Sequence, residues 1–162
     1  MRFYLGTQIG LGEFEDIDFS ISWAEPPLFL SKVTVVGNDR IAVVYFEEDE
    51  VSRVEDFAIV EYEIPFLVAV GNDATYPEVF HYAKSKGAKF AVIFERASGM
   101  AGLMMFKYRG WAHAQESDLV IFGVAEVFGK IHYGVYAPTQ MTEDGSGIMV
   151  EGNSAAVVEV RL

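Results

Sequence analysis

Most of the chain is predicted to form β-strands, because its apolar residues recur at every second position or in short unbroken runs. The clearest case is Asp16–Ala24, where apolar residues at odd positions alternate with polar ones at even positions. That alternation predicts a strand with one buried face and one solvent face. Further predicted strands are Arg2–Ile9, Leu30–Val36, Arg40–Phe46, Asp56–Ile64, Phe66–Val70, Phe90–Phe94, Asp118–Phe128, Lys130–Tyr136, Ile148–Glu151 and Ala155–Leu162.

Turn residues between these runs predict three hairpins. Glycine and asparagine take positive φ angles easily, which tight hairpin turns require. The first hairpin turns at residues 37–39, the second around Gly129 and the third around residues 152–153.

A helix is predicted over Thr75–Gly87. The Thr75 hydroxyl and the Glu78 carboxylate have the spacing of a capping box. Pro77 suits the first turn of a helix, and Gly87 can adopt the left-handed conformation that ends one. The next stretches are predicted as a flexible apolar loop at Ala97–Gly102 and an apolar segment at Leu103–Tyr108.

The predicted fold is therefore mainly β, in the α+β class: an antiparallel β-sandwich or barrel with one short central helix at about residues 75–87. No alternation of strands and helices is evident, which argues against a doubly wound parallel sheet. At 162 residues, 1–162 is predicted to be a single domain.

Composition excludes several classes of site and function. The chain has no cysteine, which excludes disulfides and thiolate metal sites. It has no apolar run near the ~18 residues that span a bilayer, and its first residues lack a signal-peptide pattern, so a cytoplasmic protein without membrane contact is expected. A net charge of −12 argues against nucleic-acid binding through a general basic surface.

Charge is unevenly distributed along the chain. Residues 1–66 hold fourteen acids and four bases, whereas residues 84–109 hold six bases and one acid. The two regions either pair within one subunit or meet between copies, and head-to-tail contacts of that kind build rings or filaments. Candidate self-assembly contacts are Glu47, Glu48, Asp49, Glu50, Lys84, Lys86, Lys89, Met100, Leu103 and Met104.

No motif indicates catalysis, a cofactor or a metal ion. The three histidines, His81, His113 and His132, lack metal-ligand spacing, and no serine has the context of a nucleophile. Glu61 and Glu63 could act as paired carboxylates, but acids on the solvent face of a strand give the same pattern. The chain is accordingly predicted to have no catalytic residues, no cofactor and no enzymatic activity.

An alternative hypothesis is a small-molecule- or sugar-binding β-domain, or a small enzyme, with an aromatic and acid-lined pocket. Aromatic rings in the C-terminal half could stack on a sugar or base, or could equally fill a core or an interface. This hypothesis places Trp111, His113 or His132 near Glu61 or Glu126. The aromatic candidates are Tyr108, Trp111, His132, Tyr133 and Tyr136.

The order of elements resembles that of phage tail-tube subunits, which share their fold with contractile-injection tubes. The helix at Thr75–Gly87 would stand between strand-rich segments 2–70 and 90–162, with Glu47–Val54 and Ala97–Gly102 as contact loops. The resemblance implies a self-assembling structural protein of a virion, with stacked rings and an acidic channel. It also implies assembly in a host cytoplasm, with copies of itself and other virion proteins as partners.

Overall fold

Two six-stranded sheets stack face to face in the computed structural model, which describes residues 1–12, 14 and 16–162. The first sheet has the strand order β12-β1-β2-β3-β4-β5, and the second has the order β11-β10-β9-β8-β7-β6. Glu13 and Glu15, two of the acids counted in the N-terminal region, lie outside the described residues. The strands are β1 (Arg2–Leu5), β2 (Phe19–Trp23), β3 (Val33–Gly37), β4 (Ala42–Phe46), β5 (Asp49–Val54), β6 (Phe57–Val60), β7 (Phe66–Val70), β8 (Phe90–Ala97), β9 (Val120–Val127), β10 (Lys130–Tyr136), β11 (Ile148–Gly152) and β12 (Ala156–Glu159).

Both sheets are mixed rather than antiparallel. Strands β7, β8 and β9 run parallel in the second sheet, and β1, β2 and β3 run parallel in the first. The predicted antiparallel arrangement holds for the outer strands of each sheet, and the parallel strands correct it at the centre of both sheets. The described strands form two open sheets, so the structure supports the predicted sandwich and not the barrel.

The space between the sheets is filled by phenylalanine. The rings of Phe3 and Phe122 stack with centroids 4.1 Å apart, and Phe66 and Phe90 stack at 4.9 Å. Phe19 contacts several of these rings edge-on. Each fully buried ring stabilises the fold by about 1.5–3 kcal/mol, so this cluster holds the two sheets together.

Helices cover the outer face of the second sheet. Helix α2 (Pro77–Ser85) connects β7 to β8, and α3 (Met100–Ser117) connects β8 to β9. Their buried side chains, including Phe80 and Phe106, form a second apolar cluster against the sheet. A parallel pair of strands needs such a crossover, so α2 and α3 explain why β7–β9 run parallel.

Helix α3 corrects the largest error of the sequence analysis. The loop predicted at Ala97–Gly102 and the segment after it belong to β8 and an 18-residue helix. The interpretation failed because Gly99, Gly102 and Gly110 read as loop residues, and because apolar residues occur all round the helix. The glycines have a packing role: a Cβ on Gly110 would lie 2.8 Å from the Tyr136 ring.

Helix α2 lies within the predicted helix, but it starts differently. Tyr76 is the N-cap and provides no side-chain hydrogen bond, while the Thr75 hydroxyl donates to the Asn72 carbonyl at 2.6 Å. The predicted capping box is therefore absent. Pro77 is the first residue of α2, and Gly87 has a φ of +90° just beyond it, both as predicted.

The outer face of the first sheet is covered without a long helix. A four-residue helix, α1 (Gln8–Leu11), and the connection at residues 24–32 lie over it. Ser20 and Ser22 were predicted to face solvent but are fully buried, with Ser20 Oγ 2.8 Å from Ser31 Oγ. This segment buries both faces of β2.

Two of the three predicted hairpins are confirmed, namely β3–β4 and β9–β10. The third is wrong, because β11 pairs with β10 in the second sheet and β12 pairs with β1 in the first. The C-terminal segment thus joins the two sheets. Among the described helices, none has the length and apolarity needed to cross a bilayer.

Candidate functional site

A polar cleft of about 400 Å³ lies where the parallel strands β7 and β8 end. The carboxyl ends of parallel strands are the usual location of ligand sites in sheets of this kind. Three parts of the fold meet here: the β3–β4 turn, the 3-10 turn that follows β7, and α3. The lining residues are Asp39, Gly71, Asn72, Thr75, Glu95, Arg96 and Arg109.

Glu95 and Arg109 form a buried ion pair in the cleft wall. Glu95 follows the apolar run of β8 on the face covered by the helices, and only 6% of it is exposed. Arg109 Nη2 donates to Glu95 Oε1 at 2.5 Å. Burial raises the pKa of Glu95 above its usual value, while the charge and hydrogen bond of Arg109 oppose that change.

The pair is incompletely satisfied. Glu95 Oε2 and Arg109 Nε are buried and have no hydrogen-bond partner among the described residues. Buried polar atoms almost always have partners, and exceptions often mark a bound water or ligand. The wall of the cleft therefore contains one unsatisfied acceptor and one unsatisfied donor.

Arg96 leaves the opposite face of β8 and joins the two sheets at the cleft. Its Nε donates to Glu126 Oε2 at 2.5 Å, and its Nη1 lies 3.7 Å from Asp39 Oδ1. Its guanidinium also lies 5.8 Å from the centre of the Trp23 ring. These contacts position Arg96 along the side of the cleft away from Arg109.

The strand-to-helix turn at the cleft has no side chain. Gly71 follows β7 directly and has a φ of +58°. Strained turns of this kind carry the nucleophile in hydrolases that use a nucleophile elbow. Here a Cβ would lie 2.5 Å from the Asp39 carbonyl oxygen, so backbone occupies the space that a side chain would need.

His113 lies behind the cleft, within the helical layer. It is 3% exposed, and its ring stacks on Phe80 with centroids 3.8 Å apart. Burial lowers the pKa of His113 to about 4, and the charges of Arg109 and His81 act in the same direction. The adjacent Ala74 backbone acts in the opposite direction, with an effect smaller than that of burial but larger than that of either charge. The imidazole is thus neutral at physiological pH.

The predicted aromatic and acidic pocket does not form. His113 is inside the helical layer, Glu61 is exposed beyond the end of β6, and Glu126 is paired with Arg96. Trp111 Nε1 donates to the Ser146 carbonyl at 2.8 Å.

The remaining aromatic and acidic candidates are equally dispersed. Tyr133 and Tyr136 are buried, whereas Tyr108 is exposed on α3. Glu63, the proposed partner of Glu61, also lies beyond β6. Among the described residues no three histidine, aspartate or glutamate side chains converge as a metal site.

The candidate self-assembly contacts occupy separate surfaces. Glu47, Glu48, Asp49 and Glu50 are exposed, the first two in the β4–β5 turn and the others in β5. Leu103 is buried within the subunit. The other candidates, Lys84, Lys86, Lys89, Met100 and Met104, lie on or next to α2 and α3.

Several basic residues of the region 84–109 form ion pairs with acidic residues of the same copy. Lys84 lies 3.4 Å from Asp118, and Lys107 lies 3.9 Å from Glu151. The charge asymmetry of the sequence is thus partly neutralised inside one subunit.

Glu95 and Arg109 were not among the site residues predicted from the sequence. Glu95 does carry a local signal, since it is the first charge after a run of five apolar residues, Phe90–Phe94. That signal has meaning only if β8 is parallel to its neighbours, so that its carboxyl end reaches a ligand site. Arg109 lies on the helix that was not predicted.

Replacing Glu95 by glutamine is expected to flatten the pH dependence of stability. Because the pKa of Glu95 is raised in the folded state, its contribution is fully present below about pH 4.5 and is lost as the pH rises. The free energy of unfolding of the wild type, minus that of Glu95→Gln, should therefore fall as the pH rises above about 4.5. Urea denaturation at several pH values measures this difference. A difference that stays constant over this pH range would contradict the assignment.

Comparisons with known proteins identify the fold. No protein-family model matches the sequence, and no curated protein is significantly similar to it. The amidase NitN from Nesterenkonia sp. AN1 superposes with a TM-score of 0.73 at 11% identity, covering 99% of this chain and 93% of that chain. The nitrilase-superfamily member Nit3 of Saccharomyces cerevisiae gives a TM-score of 0.70 at 10% identity, covering 97% and 89%. A mutant of the Nesterenkonia amidase with acrylamide added at its active-site cysteine gives 0.72 at 12% identity, covering 99% and 93%.

The fold is therefore that of nitrilase-superfamily amidases, and this finding corrects several predictions. The resemblance to phage tail-tube subunits was wrong, and so were the virion role and virion location inferred from it. The prediction that the chain has no enzymatic activity is corrected as well, because solved structures that share this fold are amidases. The alternative hypothesis of a small enzyme or small-molecule-binding domain agrees better with these findings.

Proposed function

We propose that this chain is a small enzyme that binds a carboxamide group in the Glu95–Arg109 cleft and hydrolyses it with water as the nucleophile. The observation that carries the proposal is the buried Glu95–Arg109 pair, with one unsatisfied acceptor and one unsatisfied donor, at the carboxyl ends of parallel strands. A primary carboxamide presents a donor and an acceptor side by side, which complements this pair.

The charge of the cleft favours a neutral ligand. Two carboxylates, Asp39 and Glu95, accompany two guanidiniums, Arg96 and Arg109. These four charges sum to zero, so the cleft has no strong preference for an anion or a cation. A neutral polar group such as an amide suits it better than a phosphate or a simple ion.

The nucleophile must differ from that of the solved amidase. That protein has an active-site cysteine, whereas this chain contains no cysteine at all. In the proposed reaction a water oxygen attacks the amide carbon while Glu95 takes the water proton. The carbon–nitrogen bond then breaks as Glu95 returns the proton to the leaving amine, which gives a carboxylic acid and ammonia. A carboxyl whose pKa is raised by burial suits both steps, since it holds a proton more readily than an exposed carboxylate and can return it to the leaving amine.

A second candidate is binding of the same ligand without turnover. One observation favours it: the strand-to-helix turn at Gly71 offers no side chain to attack a bound amide. The two candidates share the cleft and the ligand class and differ only in whether a product is released.

Calorimetry and ammonia release, measured on one panel of small amides, test both candidates. Acetamide, propionamide and acrylamide are the ligands, and acetate is the charged comparison. The proposal expects ammonia release that falls about 100-fold or more in Glu95→Gln, because acid–base catalysis contributes at least that factor. Arg109→Lys should chiefly weaken binding, since lysine lacks the Nε donor that the proposal assigns to the ligand.

The controls separate the possible outcomes. Glu116→Gln should release ammonia at the wild-type rate, and release that persists unchanged in Glu95→Gln would overturn the assigned role of Glu95. Binding without ammonia release supports the second candidate. If no amide binds the wild type, both candidates fail.

A further inference from the structure

Four residues around α3 hold the buried side-chain atoms that lack a hydrogen-bond partner among the described residues. The atoms are Glu95 Oε2, Arg109 Nε, both ring nitrogens of His113 and the Ser117 hydroxyl. Glu95 and Arg109 belong to the cleft, whereas His113 and Ser117 are 3% and 5% exposed and lie deeper in the helical layer. A buried polar group without a partner costs free energy, so such groups normally have one. The cleft explains the first two residues and leaves the other two unexplained.

Arg109, His113 and Ser117 form one row along α3, because residues four apart in a helix lie on the same face. Each step of four residues rises about 6 Å along the helix axis. Two hydrogen bonds of about 2.8 Å, placed end to end, span nearly that distance. The spacing therefore fits one small bridging molecule between neighbouring members of the row.

The inner part of the row has polar atoms in apolar surroundings. The His113 ring stacks on Phe80 of α2 with centroids 3.8 Å apart, and Phe80 and Ala114 belong to the buried apolar cluster of this layer. Serine in a helix often donates back to a carbonyl of the preceding turn, but the Ser117 hydroxyl does not. Both groups are thus available to a molecule held in the row.

The row begins in the cleft wall and ends under a contact between α2 and α3. Arg109 lines the cleft, and the backbone of Ala74, in the 3-10 turn that follows β7, adjoins the His113 ring. At the other end, Lys84 Nζ donates to the carbonyl oxygen of Asp118, the residue just beyond α3, at 2.9 Å. The inner part of the row is therefore close to the cleft and covered on its far side.

We propose that His113 and Ser117 bind a short file of water molecules inside the helical layer, and that this file supplies water to the cleft from behind. Water suits the spacing because it is small and both donates and accepts hydrogen bonds. It complements a neutral imidazole, which has one donor and one acceptor nitrogen, and a serine hydroxyl, which has both functions. Neither residue is charged at neutral pH, so the site holds a neutral molecule in preference to an ion.

Supply from behind has a chemical reason. The proposed hydrolysis consumes one water for each amide bond broken, at a moment when the amide itself occupies the cleft. A file that reaches Arg109 keeps water near the Glu95 side chain while the ligand covers the open side. The supply role rests on the proposed function, whereas the binding of water does not.

Magnetic relaxation dispersion of oxygen-17 water tests the binding, because it counts water molecules that stay inside the protein for longer than it takes to tumble. A chain of this length holds on the order of six buried waters, so the comparison is between variants. Ser117→Ala and His113→Phe should each remove about one long-lived water, since a buried water needs two or more polar partners. Ser85→Ala removes an exposed hydroxyl that donates to the Tyr82 carbonyl at 2.6 Å, and it should remove none. An unchanged count in Ser117→Ala and His113→Phe overturns the proposal.

Stability provides a second readout of the same site. If the Ser117 hydroxyl were dry, Ser117→Ala would raise the urea midpoint, because an unsatisfied buried group would disappear. A hydroxyl that holds water predicts a midpoint that is unchanged or lower. Ser85→Ala controls for the higher helix propensity of alanine, since Ser85 and Ser117 are each the last residue of their helix. A midpoint for Ser117→Ala well above that of Ser85→Ala overturns the proposal.

Ammonia release separates supply from binding. At saturating acetamide, Ser117→Ala should release ammonia more slowly than the wild type while binding acetamide with the same affinity. Release at the wild-type rate, in a variant that has lost the long-lived water, overturns the supply role. A wild type that releases no ammonia overturns the proposed function and the supply role with it, and the relaxation measurement still decides whether water binds.

Discussion

Replacing Gly71 by alanine is expected to lower the free energy of unfolding by about 2–4 kcal/mol, because the new Cβ combines backbone strain with a steric clash. The φ of +58° disfavours any residue with a side chain, and the Cβ would lie 2.5 Å from the Asp39 carbonyl oxygen. Backbone cannot move aside as a flexible side chain can, so the β3–β4 turn must shift. Urea denaturation followed by circular dichroism measures the loss.

Gly145 provides the matched control for this substitution. Its φ is +70°, but a Cβ there meets nothing within 4 Å. Gly145→Ala should therefore lower the free energy of unfolding only by the backbone strain, about 1 kcal/mol. Equal losses at the two positions would show that the contact with Asp39 contributes nothing.

The same geometry predicts the outcome of Gly71→Cys. A thiol at this turn should destabilise the protein at least as much as alanine does, because it adds a larger atom at the same clash. It should not convert the cleft into a cysteine-dependent site, since the thiol cannot be accommodated without displacing the Asp39 backbone. Ammonia release that appears in Gly71→Cys and is abolished by iodoacetamide would contradict this expectation.

His113 alone is expected to lower the free energy of unfolding of the wild type by about 3 kcal/mol on acidification. The pKa of His113 is about 4 in the folded protein and 6.5 in the unfolded chain, a difference that corresponds to about 3 kcal/mol. A base with a lowered pKa stabilises the fold above about pH 6.5, and that stabilisation is lost as the pH falls towards 4. His113→Phe keeps an aromatic ring against Phe80 and should remove this loss.

Denaturant unfolding of both proteins between about pH 7 and pH 4 isolates the effect of His113. The difference in unfolding free energy between His113→Phe and the wild type should grow steadily below about pH 6.5 in favour of the variant. A constant difference across the range would show that the imidazole is not held neutral by burial.

The strands were predictable because their signals are local. The β3–β4 and β9–β10 hairpins follow from glycine and asparagine between apolar runs, and they are present where expected. Helix α2 was found for a similar reason, since Pro77 and Gly87 mark its ends. The pairing of distant strands was not predictable, because β11 and β12 are neighbours in sequence yet belong to different sheets.

The failure to predict α3 determined the predicted fold class. Without α3, the chain shows one helix among strands, which is typical of an antiparallel fold. With it, β7, α2, β8, α3 and β9 alternate, which predicts parallel strands. Helical periodicity was hidden because Met100, Met104 and Tyr108 place apolar residues on the side where a surface helix carries charges.

The site could be predicted only in part for a similar reason. Glu95 and Arg109 are fourteen residues apart and meet because a strand and a helix pack together. Gly71 looks like an ordinary turn glycine in the sequence, and only its contact with the Asp39 carbonyl reveals the blocked position. The resemblance to tail-tube subunits failed because it depended on the order of elements alone, with no residue that chemistry requires.

The position of Trp23 gives the molecule a built-in optical probe. Its indole lies 5.8 Å from the guanidinium of Arg96, one of the residues that line the cleft. Trp111, the other tryptophan, is anchored to the Ser146 carbonyl. A molecule that displaces Arg96 alters the surroundings of one indole and leaves the other as an internal standard. Occupancy can thus be followed by intrinsic fluorescence in unlabelled protein.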